Sequence, residues 1–91
     1  MKITLKKTFL KDIQKVSEPQ KSQVKIFLEE LHEKPSISES SHNIKKLKGE
    51  KKKGDFFRIR FGEYRLGYEK KEDEIIMYRI LHRKEIYRYF P

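Results

Sequence analysis

The sequence predicts an α+β fold in one domain, residues 1–91: two N-terminal helices packed on a mostly antiparallel sheet of about four to five strands, closed by a short C-terminal helix. Three observations lead there. Apolar residues recur at helical spacing in the first third of the chain and at alternate positions in the second half, and 91 residues is one domain's length.

Lys2-Ile3-Thr4-Leu5-Lys6 alternates with period two and reads as a strand with Ile3 and Leu5 inward. Thr8 is a candidate cap for a short helix in which Phe9, Ile13 and Val16 share one face. Ser17-Glu18-Pro19-Gln20 reads as a helix restart, with Ser17 and Gln20 forming a capping box and Pro19 in the first turn. Val24, Phe27, Leu28 and Leu31 then line one face of a second helix, which should end near Lys34, before Pro35. Residues 36–43 read as a polar loop, Leu47 as part of a short strand, and Glu50 to Gly54 as an exposed turn.

The remainder is β-rich. Phe57, Ile59 and Phe61 alternate with Arg58 and Arg60, and Gly62-Glu63 leads into Tyr64, Leu66 and Tyr68. Glycine at the first of two loop positions suits a type II′ hairpin, since it accepts positive φ without a Cβ clash. Lys70–Asp73 marks a second turn. Ile75 to Leu81, nearly all apolar, reads as a central strand covered on both faces. From His82 onward, Ile86 and Phe90 at i, i+4 suggest a final helical turn or two. The expected order is β-α-α-β-β-β-β-α, with the two early helices covering one face of the sheet.

Charged residues make up 41% of the chain and hydrophobic ones 35%, a balance that edges toward disorder, yet 5 Tyr and 6 Phe supply a core. Lys and Arg outnumber Asp and Glu by 23 to 14, for a net charge of +9. A body this small and basic expects an anionic partner: nucleic acid, an acidic protein or an anionic membrane face. Without cysteine there is no disulfide framework, thiol nucleophile or Cys-type zinc site, which is compatible with a cytoplasmic location. No apolar run approaches a membrane span, and the N-terminus has no signal-peptide block. His32, His42 and His82 lack metal-ligand spacing and there is no Gly-rich phosphate loop, so no metal or cofactor is expected.

The strand periodicity points to a candidate site. Arg58 and Arg60 share the face opposite Phe57, Ile59 and Phe61. If Phe61 pairs with Tyr64 across the hairpin, Arg65 falls opposite Arg60, and three guanidiniums converge. Like charges set opposite each other are destabilising, so the patch calls for an acid or a bound anion, and Glu69 has the right facing to be an internal partner. The plain alternative is the wet face of a half-buried sheet. Guanidinium forks match phosphate bidentately and stay charged at any working pH, so a phosphodiester is the natural ligand. Lys45, Lys46 and Lys48, in the densest basic segment, are either a solvated run or a guide for a polyanion. His82 stands at a strand end beside Arg83, where it could move protons near neutral pH. Ile86 and Phe90 are the better core residues, which leaves Tyr87 free to stack on a base.

The ordered set Ile44-Lys45-Lys46-Leu47-Lys48-Gly49, Phe57-Arg58-Ile59-Arg60-Phe61-Gly62-Glu63-Tyr64-Arg65-Leu66-Gly67-Tyr68 and Leu81-His82-Arg83-Lys84-Glu85-Ile86-Tyr87-Arg88 resembles the RelE/ParE toxin superfamily, in its RelE branch, over essentially the whole chain. The resemblance implies a microbial-ribonuclease-like fold and the toxin of a type II toxin–antitoxin pair. It further implies cytoplasmic cleavage of messenger RNA on the ribosome without metal, by 2′-hydroxyl attack on the phosphodiester. An antitoxin would block the site in a complex larger than a heterodimer, such as a heterotetramer. Carried over by position, Arg58 and Arg60 stand where the family often has two basic residues. Arg65 would hold the phosphate, Arg83 would lie near the leaving oxygen, and Tyr87 would orient the substrate; Lys45, Lys46 and Lys48 stay candidate RNA-binding residues on their charge alone. The best-known RelE pattern has lysines where this chain has Arg58 and Arg60. An arginine is nearly impossible to deprotonate, so either catalysis is mainly electrostatic or the proton acceptor is another group: His82, first, or Glu63 or Glu69. A ParE-like gyrase poison and a non-catalytic binding module on the same fold are the alternatives.

Overall fold

A computed structural model describes residues 2–33, 44–47 and 55–90. Their elements follow the expected order: β1 (Lys2–Leu5), α1 (Lys7–Ile13), α2 (Gln20–Glu33), β2 (Ile44–Leu47), β3 (Asp55–Phe61), β4 (Tyr64–Lys71), β5 (Glu74–His82) and α3 (Arg83–Tyr89). The loop expected at 36–43, the turn at 50–54 and Lys48 lie outside the described residues. None of the described helices is long and apolar enough to cross a membrane.

The sheet runs β1-β5-β4-β3-β2, antiparallel except for the parallel pair β1–β5. β5 therefore lies inside the sheet, which explains its long apolar run: Ile75, Ile76, Met77 and Ile80 are all buried. Period two sends Phe57, Ile59, Phe61, Leu66 and Tyr68 to one face, where Val24, Phe27 and Leu31 of α2 cover them. Phe27 meets Phe61 edge-on with ring centroids 5.7 Å apart, and Phe57 stacks on Tyr68 at 5.0 Å. Each such buried aromatic contributes roughly 1.5–3 kcal/mol from burial.

The two early helices do not share one role. α2 lies on the sheet, whereas α1 runs beside the stretch of β5 that the short β1 leaves open. There the Thr8 hydroxyl donates to the Tyr78 carbonyl at 2.8 Å, and the Asp12 carboxylate accepts from the Ile80 N–H at 3.2 Å. These contacts satisfy backbone groups of a strand edge that would otherwise stay unpaired. Thr8 is thus an edge partner, not a cap; α1 begins at Lys7 with no side-chain cap. The capping box is absent too. The Ser17 N–H donates to the Tyr64 hydroxyl, and its own hydroxyl lies 3.2 Å from the same oxygen. Glu18 takes the start of α2 instead, accepting from the Ser22 N–H at 2.9 Å and the Ser22 hydroxyl at 2.7 Å. A carboxylate there also suits the positive end of the helix dipole.

α3 lies on the other face of the sheet. Ile86 and Phe90 are buried as their spacing implies, and the Phe90 ring rests directly on Gly67, where any Cβ would overlap it. A β-bulge between Gly67 and Tyr68 leaves Tyr78 without a partner across β4. Tyr78 packs beside Phe56 and Phe90. Glu69 shares the face of the arginines, opposite Phe56, but forms no ion pair with them; it is buried and accepts a 2.7 Å hydrogen bond from the Tyr78 hydroxyl. Burial, then the neighbouring Glu69, pushes the Tyr78 phenol up to about 12. A spectrophotometric titration of the phenolates should find Tyr78 ionising well above an ordinary tyrosine, and Tyr78→Phe should remove that late step. Because the folded value is raised, this group's contribution to stability is present below the ordinary phenol value of about 10 and is lost as pH climbs toward 12.

Candidate active site

The hairpin at Gly62-Glu63 sets the register of the basic face. Gly62 has φ +57° and no other described residue has positive φ, which fits the expected turn with glycine first. Phe61 pairs with Tyr64, so Arg60 stands opposite Arg65, and Arg58 stands opposite Gly67. With no side chain at Gly67, the ground beside Arg58 is open to α3. Tyr87 comes over from α3 and lays its ring 4.4 Å from the Arg58 guanidinium carbon, a cation–π contact on a tyrosine that remains 66% exposed.

Arg65 is the most constrained of the three arginines. Its Nη1 donates to the carbonyls of Gly62 at 2.8 Å and Tyr64 at 3.0 Å, tying the guanidinium to the turn. Burial first, then the charges of Arg60 and Arg83, pull its pKa below the ordinary arginine value, while Tyr87 and Glu63 act in the opposite direction. A guanidinium held among like charges is a preorganised anion site. Among the described residues, no carboxylate forms an ion pair with Arg58, Arg60 or Arg65.

Glu63, at the hairpin tip, ties β4 to the start of α3. Its carboxylate forms an ion pair with Arg83, 2.9 Å from Nε, and lies 3.8 Å from His82 Nε2, and its carbonyl accepts from the Arg83 N–H at 2.8 Å. His82 is the N-cap of α3, with Nδ1 accepting from the Lys84 N–H at 3.2 Å. An accepting Nδ1 leaves the neutral ring's proton on Nε2, directed at Glu63. In this arrangement His82 offers a donor, and the exposed acceptor of the cluster is the Glu63 carboxylate. His82 also faces away from Arg58 and Arg60, toward Tyr64, whose ring it meets edge-on at 6.1 Å.

The lysines divide by strand alternation. Lys45 pairs with Arg58 and extends the basic face. Lys46 pairs with Phe57, points to the opposite side of the sheet, and bonds Asp55 at 3.4 Å. It therefore stands apart from the arginines, contrary to its grouping with Lys45.

One charged pair escaped the sequence reading. Asp12, buried, accepts from Arg79 Nε at 2.7 Å and Nη2 at 3.1 Å, and Arg79 lies 5.1 Å from the ring centroid of Tyr89. The hydrogen bonds that Arg79 donates to Asp12 raise its pKa further. Each residue interrupts an apolar pattern: Asp12 sits on the Phe9-Ile13-Val16 stripe and Arg79 breaks the run of β5. Paired pattern breaks of opposite sign were the available signal. The pair borders a cleft of about 400 Å³ between α1 and α3, which His82, Tyr64, Lys15 and Glu85 also line.

Comparison with known proteins shows the family and the fold. Residues 3–87 match the family model described as ParE toxin of type II toxin-antitoxin system, parDE. Toxin RelE3 of Methanocaldococcus jannaschii is 42% identical over 91 residues, all of both chains. The RelB-RelE antitoxin–toxin complex from Methanococcus jannaschii contains a chain 38% identical, with TM-score 0.81 over 97% of this chain and 99% of that one. The archaeal RelE-RelB complex from Pyrococcus horikoshii shares the fold at 21% identity, with TM-score 0.71 over 90% of this chain and 93% of that one. With a full-length relative, a family model spanning nearly the whole chain and one sheet-and-helix architecture in common, the chain belongs to the RelE/ParE superfamily of type II toxin–antitoxin toxins.

Proposed function

We propose that the chain is a ribosome-dependent messenger RNA endoribonuclease, held inactive by a cognate antitoxin. The observation that carries this reading is the cross-strand pair Arg60–Arg65, flanked by Arg58 under Tyr87 and by Arg83, with no carboxylate paired to the three sheet arginines among the described residues. Such a face is stabilised by an anion.

In the proposed reaction the ribose 2′-oxygen attacks the adjacent phosphorus and the bond to the 5′-oxygen breaks, leaving a 2′,3′-cyclic phosphate and a 5′-hydroxyl. Arg65 and Arg60 bind the non-bridging oxygens and stabilise the charge that builds there. Arg83 exchanges Glu63 for the phosphate, and the carboxylate so released accepts the 2′-hydroxyl proton. His82, through Nε2–H, orients Glu63; Arg83 stabilises the departing oxygen, which takes its proton from solvent. Tyr87 stacks on the neighbouring base. No step requires a metal. Action on translating ribosomes places the toxin in the cytoplasm, and the partner is an acidic antitoxin covering the basic face, in a heterotetrameric complex.

The test is in vitro: purified toxin, ribosomes programmed with a defined message, and analysis of the fragment ends. Fragments with 2′,3′-cyclic phosphate and 5′-hydroxyl ends, absent when antitoxin is added, support the reading; an intact message overturns it. The match to the ParE toxin model favours one other reading, a gyrase poison. That reading expects intact messages together with broken or supercoiling-defective DNA.

The split between the lysines gives a separate prediction. Phosphate contacts by Lys45, Arg58, Arg60, Arg65 and Arg83 would give a log–log salt slope of about −3.5 for single-stranded RNA. Lys45→Ala should flatten that slope by about 0.7, and Lys46→Ala should leave it unchanged, as measured by fluorescence anisotropy with a short labelled RNA.

A further inference from the structure

α3 has only two turns, yet it carries Tyr87 into the candidate site, so its rotation about its own axis decides where that ring lies. Two arginine–tyrosine contacts grip it from opposite flanks. On the side of β3, Tyr87 lies over Arg58 at 4.4 Å. On the side of α1, Tyr89 lies over Arg79 at 5.1 Å. The two supports differ in firmness. Arg79 is fixed by two hydrogen bonds to Asp12, whose carboxylate also accepts the Ile80 N–H and is itself buried. Arg58, on the basic face, has no carboxylate partner among the described residues.

We propose that Asp12, Arg79 and Tyr89 form a positioning relay that fixes the rotation of α3 and so holds Tyr87 over Arg58. The relay spans three elements. Asp12 belongs to α1 and Arg79 to β5, and Tyr89 stands on the far side of α3 from the basic face. It touches no substrate in the proposed reaction and acts through Tyr87 alone. A helix this short cannot hold its orientation by its own hydrogen bonds. The buried Ile86 and Phe90 anchor its inner face to the sheet, and the exposed rings of Tyr87 and Tyr89 reach past that anchor to the two arginines on either flank.

Tyr89 is 56% exposed, so its truncation leaves the core intact. The test compares the wild type with Tyr89→Ala, Tyr89→Phe and Asp12→Asn. The primary readout is the ring-current shift that Tyr87 imposes on the Arg58 side-chain proton resonances, which needs neither RNA nor ribosome. Tyr89→Ala should collapse that shift toward the value in Tyr87→Ala, Asp12→Asn should reduce it, and Tyr89→Phe, which keeps the ring, should preserve it. A shift retained in Tyr89→Ala overturns the relay. The second readout rests on the endoribonuclease reading. Tyr89→Ala should lower kcat for message cleavage about tenfold, since small misplacements of an orienting group cost that much or more. KM and the melting temperature should stay close to wild type, and Tyr89→Phe should restore the rate. If wild-type protein cleaves no message, the endoribonuclease reading fails while the resonance shift still decides the relay.

Discussion

Arg65→Ala is expected to abolish message cleavage and growth arrest while leaving the fold and antitoxin binding intact. Arg65 combines two properties that no other cation of the face shares. Its guanidinium is tied to the turn by two carbonyls, and it stands directly across from Arg60. Losing one preorganised donor at a developing oxyanion lowers rates by about 10²–10³. That is enough to turn a toxin into a tolerated protein. Stability should move little, because the loss of two partly solvated hydrogen bonds, about 1 kcal/mol each, is offset by relief of the Arg60–Arg65 repulsion. Arg65→Lys should recover only part of the activity, since an ammonium keeps the charge but not the fork that reaches the turn and the phosphate together. Full toxicity in Arg65→Ala would place the chemistry elsewhere.

Gly67→Ala is expected to damage stability and activity together. A Cβ at position 67 would overlap the ring of Phe90, which is buried and hemmed in by Phe56 and Tyr78. The ring has no free direction to yield, so overpacking should cost about 1–3 kcal/mol and lift the end of α3 from the sheet. Tyr87 would leave Arg58 with it. Chemical denaturation should show the lower stability, and cleavage by the folded fraction should fall as well. In a Gly67→Ala/Phe90→Ala background the added methyl group should cost much less than it does alone, which would identify the overlap as its cause. Wild-type stability in the single variant would mean that α3 does not rest on Gly67.

The parts legible in the sequence were those governed by local periodicity. Alternation placed Arg58 and Arg60 on one face, and the Gly62-Glu63 turn fixed Arg65 against Arg60; both follow from period two and one hairpin. The apolar run of β5 announced an interior strand, and the spacing of Ile86 and Phe90 announced their burial. What escaped was tertiary. Thr8, Ser17 and Glu69 carry the composition of local caps and charge partners, but each bonds to a residue at least nine positions away, through edges and a bulge that no local pattern encodes. Lys46 shows the opposite failure. Counting charges grouped it with Lys45, although the same alternation that located the arginines sends it to the other face. Asp12 and Arg79 were visible only as breaks in two distant apolar patterns, and their pairing depends on α1 lying beside β5.

Under the proposed function, the arginine face cleaves messages during translation. Mapping transcript 5′ ends shortly after induction tests it most directly, with an Arg65→Ala strain alongside. New 5′ ends carrying hydroxyl groups should appear inside translated codons, and should be absent from untranslated regions and from the Arg65→Ala strain. Growth arrest by the wild-type chain with no new ends inside translated codons would contradict the claim.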